Sequence, residues 1–248
     1  MAYREFPAPV TLRGLVECGW TASLTPRESP QVHDVLPDGC MDLVWTGTGL
    51  LVAGPDTGPH PVRREPGVAA AGLRFAPGQL PALLAVPAAA LRDQRVPLAE
   101  LHRDAARRAT DRLELGAAAS AVLADLAWAL PGRPPAVAVR AVAVRLGAGA
   151  SAASTADALG WTTRSLHRRC VAAFGYGPAV LRRVLRFRRA VALLHAGIPP
   201  AEVAARAGYA DQPHLSREVR AWAGVSPGQV ASGANRSTVL PSGSWITA

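Results

Sequence analysis

The 248-residue sequence contains no lysine; all 27 of its basic side chains are arginine. Alanine, glycine, proline and valine are abundant beside them, a composition that marks GC-rich coding bias, so no single arginine is diagnostic. Cysteine is scarce too. Cys18, Cys40 and Cys170 are an odd number, widely spaced and without a Cys-x-x-Cys pair, which excludes a disulfide framework. Long apolar runs are missing. The longest, Leu80 to Leu91, is interrupted by Pro81 and Pro87 and is far too short for a membrane span. An export signal needs basic residues, an apolar run and a cleavage site, whereas the first twenty residues carry Glu5, Pro7, Pro9 and Glu17. The expectation is a soluble cytoplasmic protein with no membrane partner. No Gly-x-Ser-x-Gly, Walker loop, His-Glu-x-x-His or Rossmann fingerprint appears, so neither an enzyme nor a cofactor is expected.

What the chain does have is lopsided charge. Residues 1 to 131 hold 12 arginines against 14 carboxylates, while residues 132 to 248 hold 15 arginines against 4. Clustered cations are drawn to a polyanion because binding releases its condensed counterions. The C-terminal half therefore points to phosphate, as in nucleic acid or an anionic lipid.

Between Leu12 and Phe75, short apolar runs alternate with turn residues, predicting strands over 14–24, 32–36, 40–45, 50–53 and 68–75. Helical spacing follows over 79–85, 98–113 and 115–130, with Asp93 and Glu100 near helix starts. Pro131-Gly132-Arg133-Pro134-Pro135 reads as a short stiff connector. The expected organisation is an N-terminal effector-sensing or association domain (1–130), a linker (131–135), a DNA-binding domain (136–231) and a loose tail (232–248). The fold class is α+β: a small β-rich domain with flanking helices, then an all-α domain.

An internal repeat carries the functional argument. Leu159-Gly160-Trp161-Thr162 through Pro178 resembles Ala207-Gly208-Tyr209-Ala210 through Pro227, and Leu166, Arg168, Gly175 and Pro178 each recur 49 positions later. Each copy reads as a short helix, a turn of glycine plus aromatic, a longer helix and a glycine stop, which is how a helix-turn-helix is written. Thr162 and Asp211 suit the N-caps of the longer helices. In the first of these, Leu166, Cys170, Ala173 and Phe174 fall on one face and Arg164, His167, Arg168 and Val171 on the other. In the second, Leu215, Val219 and Trp222 turn inward, and Pro213, Ser216, Arg217 and Arg220 outward, with Gln212 and His214 at the helix start. Between the copies, Val180, Val184, Phe187, Val191 and Leu194 predict one long helix, with Arg182, Arg183, Arg186 and Arg189 on another stripe. At about 1.5 Å per residue, that helix spans roughly 28 Å, comparable with the ~34 Å between successive major-groove faces of B-DNA.

On these residues, and above all on Ala207-Gly208-Tyr209-Ala210-Asp211-Gln212-Pro213-His214-Leu215-Ser216-Arg217, the segment 136–231 resembles the AraC/XylS-type DNA-binding module. The resemblance implies seven helices, two helix-turn-helix units and a sequence-specific transcription regulator acting on double-stranded DNA, with RNA polymerase and a small-molecule effector as further partners. It places base reading at Arg164, His167, Arg168, Gln212, His214, Ser216 and Arg217, to which the outward-facing Arg220 is added. Thr163, Arg182 and Arg186 are phosphate-contact candidates. Cys170, Pro213 and Val219 depart from the family's usual residues. Tyr3 to Pro7, Val35 to Val44 and Gly72 to Gly78 resemble an uncharacterised domain that often precedes such modules. If that domain encloses a ligand, Trp20, Trp45, Arg74 and Phe75 are the candidate pocket residues.

Other constellations are weaker. Cys18, His33, Cys40 and His60 match no compact zinc spacing, so no metal is assigned. Asp34, Asp38 and Asp42 suit turn and rim roles better than acid/base work. Two alternatives to a regulator are a sequence-independent packaging protein and a repair-type enzyme fused to a DNA-binding module. The second requires a reactive cysteine, and neither Cys18 nor Cys40 has activating neighbours in sequence.

Overall fold

The computed structural model describes residues 2–232. Its N-terminal half comprises strands β1 (Ala2–Pro7), β2 (Val16–Ser23), β3 (Gln31–Val35), β4 (Met41–Trp45), β5 (Leu50–Ala53), β6 (His60–Arg64) and β7 (Ala69–Phe75). Helix α1 (Leu80–Leu84), strand β8 (Arg95–Pro97) and helices α2 (Leu98–Leu101), α3 (Arg103–Glu114) and α4 (Ala119–Ala129) follow. Six strands form one antiparallel sheet in the order β1-β2-β7-β4-β5-β8, and β3 pairs with β6 in a separate ribbon.

Because successive side chains on a strand point to opposite faces, the sheet sorts its residues into two layers. One layer, with Leu43, Val52, Leu73 and Phe75, packs on Leu83, Leu123 and Leu126 from the helices and forms the main N-terminal core. The other carries a smaller cluster of Trp20, Ala22, Val44 and Ala70. Trp20 lies opposite Gly72 in the register, and a Cβ there would sit 2.4 Å from the indole, so only glycine admits the ring.

The sequence signals missed β1, β6 and β8. Two of these lie at the outer edges of the sheet and one in the ribbon, and Pro7, Pro61 and Pro97 break their β pattern. The single helix expected over 98–113 is two, because His102 leaves the helical region with φ −144° and ψ 75°, its ring 2.8 Å from the Leu84 carbonyl. Asp93 does not start a helix. It adopts φ +60° and bonds the Thr57 backbone and hydroxyl.

The C-terminal half has seven helices among the described residues: α5 (Val137–Gly147), α6 (Ala152–Ala158), α7 (Thr163–Phe174), α8 (Pro178–His195), α9 (Pro200–Ala207), α10 (Gln212–Ala223) and α11 (Pro227–Ala231). Their core is built from Leu166, Cys170, Phe174, Val184, Phe187, Val191, Leu215, Val219 and Trp222, and it takes in Leu36 from the N-terminal half. The halves therefore meet through packed side chains. Gly132 in the connector donates its N–H to the Leu83 carbonyl at 2.8 Å, and a Cβ on it would lie 1.8 Å from the Ala82 oxygen. The connector is thereby pinned to α1. The tail expected over 232–248 lies outside the described residues, Ser232 apart.

Candidate nucleic-acid interface

Helices α6 and α7 form one helix-turn-helix, and α9 and α10 the other. Each bends at a glycine with positive φ, Gly160 at +66° and Gly208 at +80°, a conformation that a side chain would strain. Each longer helix opens on a side-chain cap. Thr162 Oγ1 accepts from the Ser165 N–H at 3.1 Å, and Asp211 Oδ1 from the His214 N–H at 2.6 Å. Both end on a left-handed glycine, Gly175 and Gly224.

With Leu166, Cys170 and Phe174 buried, α7 presents Thr163, Arg164, His167 and Arg168 to solvent. Helix α10 buries Leu215, Val219, Trp222 and Ala223 and exposes Gln212, Arg217 and Arg220. These exposed groups lie on the outward faces, mostly in the N-terminal halves of their helices, where a recognition helix reaches base edges.

Other candidates are partly buried or also touch neighbouring parts of the protein. The His167 ring lies against Gly177, where a Cβ would come within 2.8 Å of Nε2. Half-buried His214 accepts from the Ala210 N–H at 3.3 Å through Nδ1 and meets the Tyr209 ring edge-on at 5.2 Å, so it braces the turn. Ser216 is half-buried. Of the phosphate candidates, Arg182 is exposed, but Arg186 bonds Glu218 at 3.2 Å and stacks 4.6 Å from the Tyr209 ring centre. Arg183 also binds Glu218, at 2.7 Å, and Arg189 donates to the Gly147 carbonyl at 3.1 Å. Burial tends to raise the Glu218 carboxyl, yet the two guanidiniums outweigh it and hold it below the usual carboxylate range. The arginine stripe of α8 is thus largely an internal fastening for α10 and α5.

The four N-terminal pocket candidates do not converge. Phe75 is fully buried in the helix-backed core and Trp45 packs on it, while Trp20 and Arg74 lie on the opposite sheet face. Adjacent residues on a strand point apart, so Arg74 and Phe75 cannot line one cavity. Buried Arg74 instead sits among Glu5, Asp38 and Asp42 at 3.5–3.6 Å. Asp42 is mostly buried, its side chain 13% exposed, rather than on an open rim. It accepts from Trp20 Nε1 at 2.8 Å, and burial pushes its carboxyl up to about 6 against the pull of Arg74. Asp38 does occupy a turn, accepting from the Cys40 N–H at 2.8 Å.

A cleft of about 380 Å³ opens elsewhere, between the halves, lined by apolar groups of α1, α5 and α7 with Trp161 and Arg169. Nothing in the sequence pattern marks it, because Ala82, Ala138 and Ala173 read as ordinary core positions. Among the described residues no group of three or more His, Cys, Asp or Glu could hold a metal, and no helix is long and apolar enough to cross a membrane.

Residues 155–232 match a family described as a helix-turn-helix domain. The C-terminal domain is an AraC-type helix-turn-helix domain. Ahead of this AraC-type domain, residues 4–97 match a domain of unknown function (DUF6597). No curated protein matches the chain. Solved structures of ToxT from Vibrio cholerae are similar in course. An apo lysine-to-alanine variant is 10% identical, covering 87% of this chain and 96% of its own with a TM-score of 0.49. A 1.65 Å structure is 8% identical, covering 94% and 98% with a TM-score of 0.48. An unsaturated fatty acid-bound form is 10% identical, covering 83% and 96% with a TM-score of 0.46. The AraC-type domain makes the protein a DNA-binding transcription regulator.

Proposed function

We propose that the protein reads two adjacent major-groove segments of duplex DNA, α7 taking one and α10 the other, with the N-terminal domain modulating the outcome. One observation carries this: both helix-turn-helix units expose arginines on the outward faces of capped second helices, and the 18-residue α8 joins them. At about 1.5 Å per residue α8 spans roughly 27 Å, near the helical repeat of DNA. Arg164 and Arg168 are the base-reading or phosphate-binding groups of α7; Gln212, Arg217 and Arg220 are those of α10. His167, His214 and Ser216 serve chiefly to shape the two units, and Arg182 with Thr163 faces phosphate.

The N-terminal domain leaves the reading end of α7 open. It grips the other end, where Arg92 donates to the Gly175 carbonyl at 3.3 Å and Pro55 and Ala88 crowd Gly175. A small apolar effector suits the cleft between α1, α5 and α7 in size, since such ligands occupy cavities of about 300–1,000 Å³, often at domain junctions.

The cysteines lend no support to the repair-type alternative, which needs a reactive thiol. All three thiols are buried, and burial pushes Cys18 and Cys170 up to about 12 and Cys40 above its usual range, the reverse of a nucleophilic thiolate. Selection of duplexes from a random pool by the full chain at two salt concentrations tests the proposal. Two short preferred blocks about one helical turn apart support it. Retention that is blind to sequence and simply falls with salt favours a packaging role.

A further inference from the structure

Helix α8 is held from two sides by its own arginines. On one flank Arg183 and Arg186 bind Glu218 of α10. On the other, Arg188 makes a two-pronged contact with Glu17 of β2, Nη1 to Oε1 at 2.9 Å and Nη2 to Oε2 at 2.6 Å. The Arg188 and Glu17 side chains are only 15% and 4% exposed, so this is a buried ion pair between the two halves.

The placement of Glu17 is a built feature of the sheet. Val16 pairs with Phe75 and Cys18 with Arg74, so Glu17 is the extra residue of a β-bulge. A bulge re-aims a side chain away from the regular alternation. Here it turns the carboxylate to α8. The same guanidinium reaches Cys40 Sγ at 3.5 Å, and the Cys40 N–H is held by Asp38, which faces Arg74 at 3.6 Å. Leu185, one turn before Arg189 on α8, packs 3.5 Å from where a Cβ on Gly39 would be.

We propose that Arg188 is a positioning residue through which the N-terminal domain sets the attitude of α8, and with it the placement of α10 relative to α7. The path runs from Glu17 and the 38–40 turn through Arg188 to α8, then through Arg183 and Arg186 to Glu218. This deepens the two-segment reading above and rests on it for its DNA arm only.

The test uses the full chain with Glu17→Gln, and with Glu17→Met/Arg188→Met. The double variant removes both charges and so avoids stranding one in the interior, the usual reason a single change unfolds a buried pair. Circular dichroism establishes that the chain compared is folded. In the DNA arm, affinities are measured for duplexes whose two preferred blocks are moved apart by one or two base pairs. The wild type discriminates among spacings, and the variants lose at least about five-fold of that discrimination while keeping their preference within each block. In the arm without DNA, amide exchange over 212–223 is faster in the variants than in the wild type.

Unchanged exchange in α10 together with unchanged spacing discrimination, in a folded variant, overturns the proposal. A wild type that shows no two-block preference overturns the two-segment reading instead, and the exchange arm then decides the role of Arg188 alone.

Discussion

Arg183 on the helix that joins the two units donates from Nη2 to Oε1 of Glu218 on α10, at 2.7 Å. Arg183 also lies over the Trp222 ring, 5.3 Å from its centre. The contact fixes α10 against α8 from its polar side while Leu215, Val219 and Trp222 fix it from the apolar one. Glu218→Gln is expected to lower folding stability by about 1–2 kcal/mol: water screens the contact to the well-exposed Arg183, but the mostly buried Arg186 loses its carboxylate as well. Binding to the α10 half of the site is expected to fall by more than binding to the α7 half. Titrations against duplexes with one block scrambled at a time measure the difference; equal losses at both blocks would count against a placing role for Glu218.

Arg168→Ala and Arg217→Ala each remove an exposed guanidinium from the outward face of its helix. Specific binding is expected to weaken by about 1–3 kcal/mol for each, with base preference relaxed only in the block that its helix serves. Repeating the pool selection with each variant tests this. Unchanged affinity and unchanged base preference in both would remove these residues from the interface.

Gly132→Ala places a methyl group where the Ala82 oxygen stands. Relief requires the connector to leave α1, losing its hydrogen bond to Leu83, so a loss of roughly 1–3 kcal/mol is expected. Thermal unfolding of the variant, with proteolysis over 131–135 as a local probe, reports it. A variant as stable and as protease-resistant as the wild type would show that the connector is not pinned there.

Asp42 titrates at about 6 in the folded protein, above the ordinary aspartate value, because burial outweighs Arg74 and the Trp20 hydrogen bond. Between about pH 4 and 6 the folded state keeps a proton that the unfolded chain has released. This group therefore favours folding most at low pH, and its contribution is lost as pH rises through 6. Asp42→Asn keeps an acceptor for Trp20 but cannot ionise. It is expected to gain on the wild type by roughly 1–3 kcal/mol between pH 4 and 7. Urea unfolding of both chains at the two pH values checks the sign, and a difference that does not change with pH contradicts it.

The native protein should not react with a thiol reagent, since Cys18, Cys40 and Cys170 are all buried and their pKa values are raised. All three react once urea unfolds the chain. A cysteine methylated in the folded state by an alkylating agent, seen by mass spectrometry, would revive the repair-enzyme alternative.

Much of the C-terminal domain was legible because its signals are local. A glycine that must adopt positive φ, a cap three residues before the amide it serves and an apolar face at helical spacing are all written within a dozen residues, twice over. The N-terminal sheet was only half legible. Its edge strands carry proline, and pairing β2 with β7 joins residues some fifty positions apart. The pocket candidates failed for a related reason. Aromatic or charged identity says nothing of which sheet face a residue occupies until register is known, and Phe75 and Arg74 went to opposite sides.

Sequence by itself determined that there are two helix-turn-helix units, where their turns and caps lie, and which side chains on α7 can meet a partner, because these follow from backbone preferences and helical period. Tertiary structure alone decided which arginines remain exposed and which are tied up within the protein. Arg182 and Arg186 look alike along the chain, yet one is exposed and the other is held by Glu218 and Tyr209. It also decided that Arg188 belongs to the N-terminal domain's grip, since its partner stands 171 residues away on a bulge that only strand register creates. An ion pair between distant segments has no local energetic signature, and it exists only once both cores have packed.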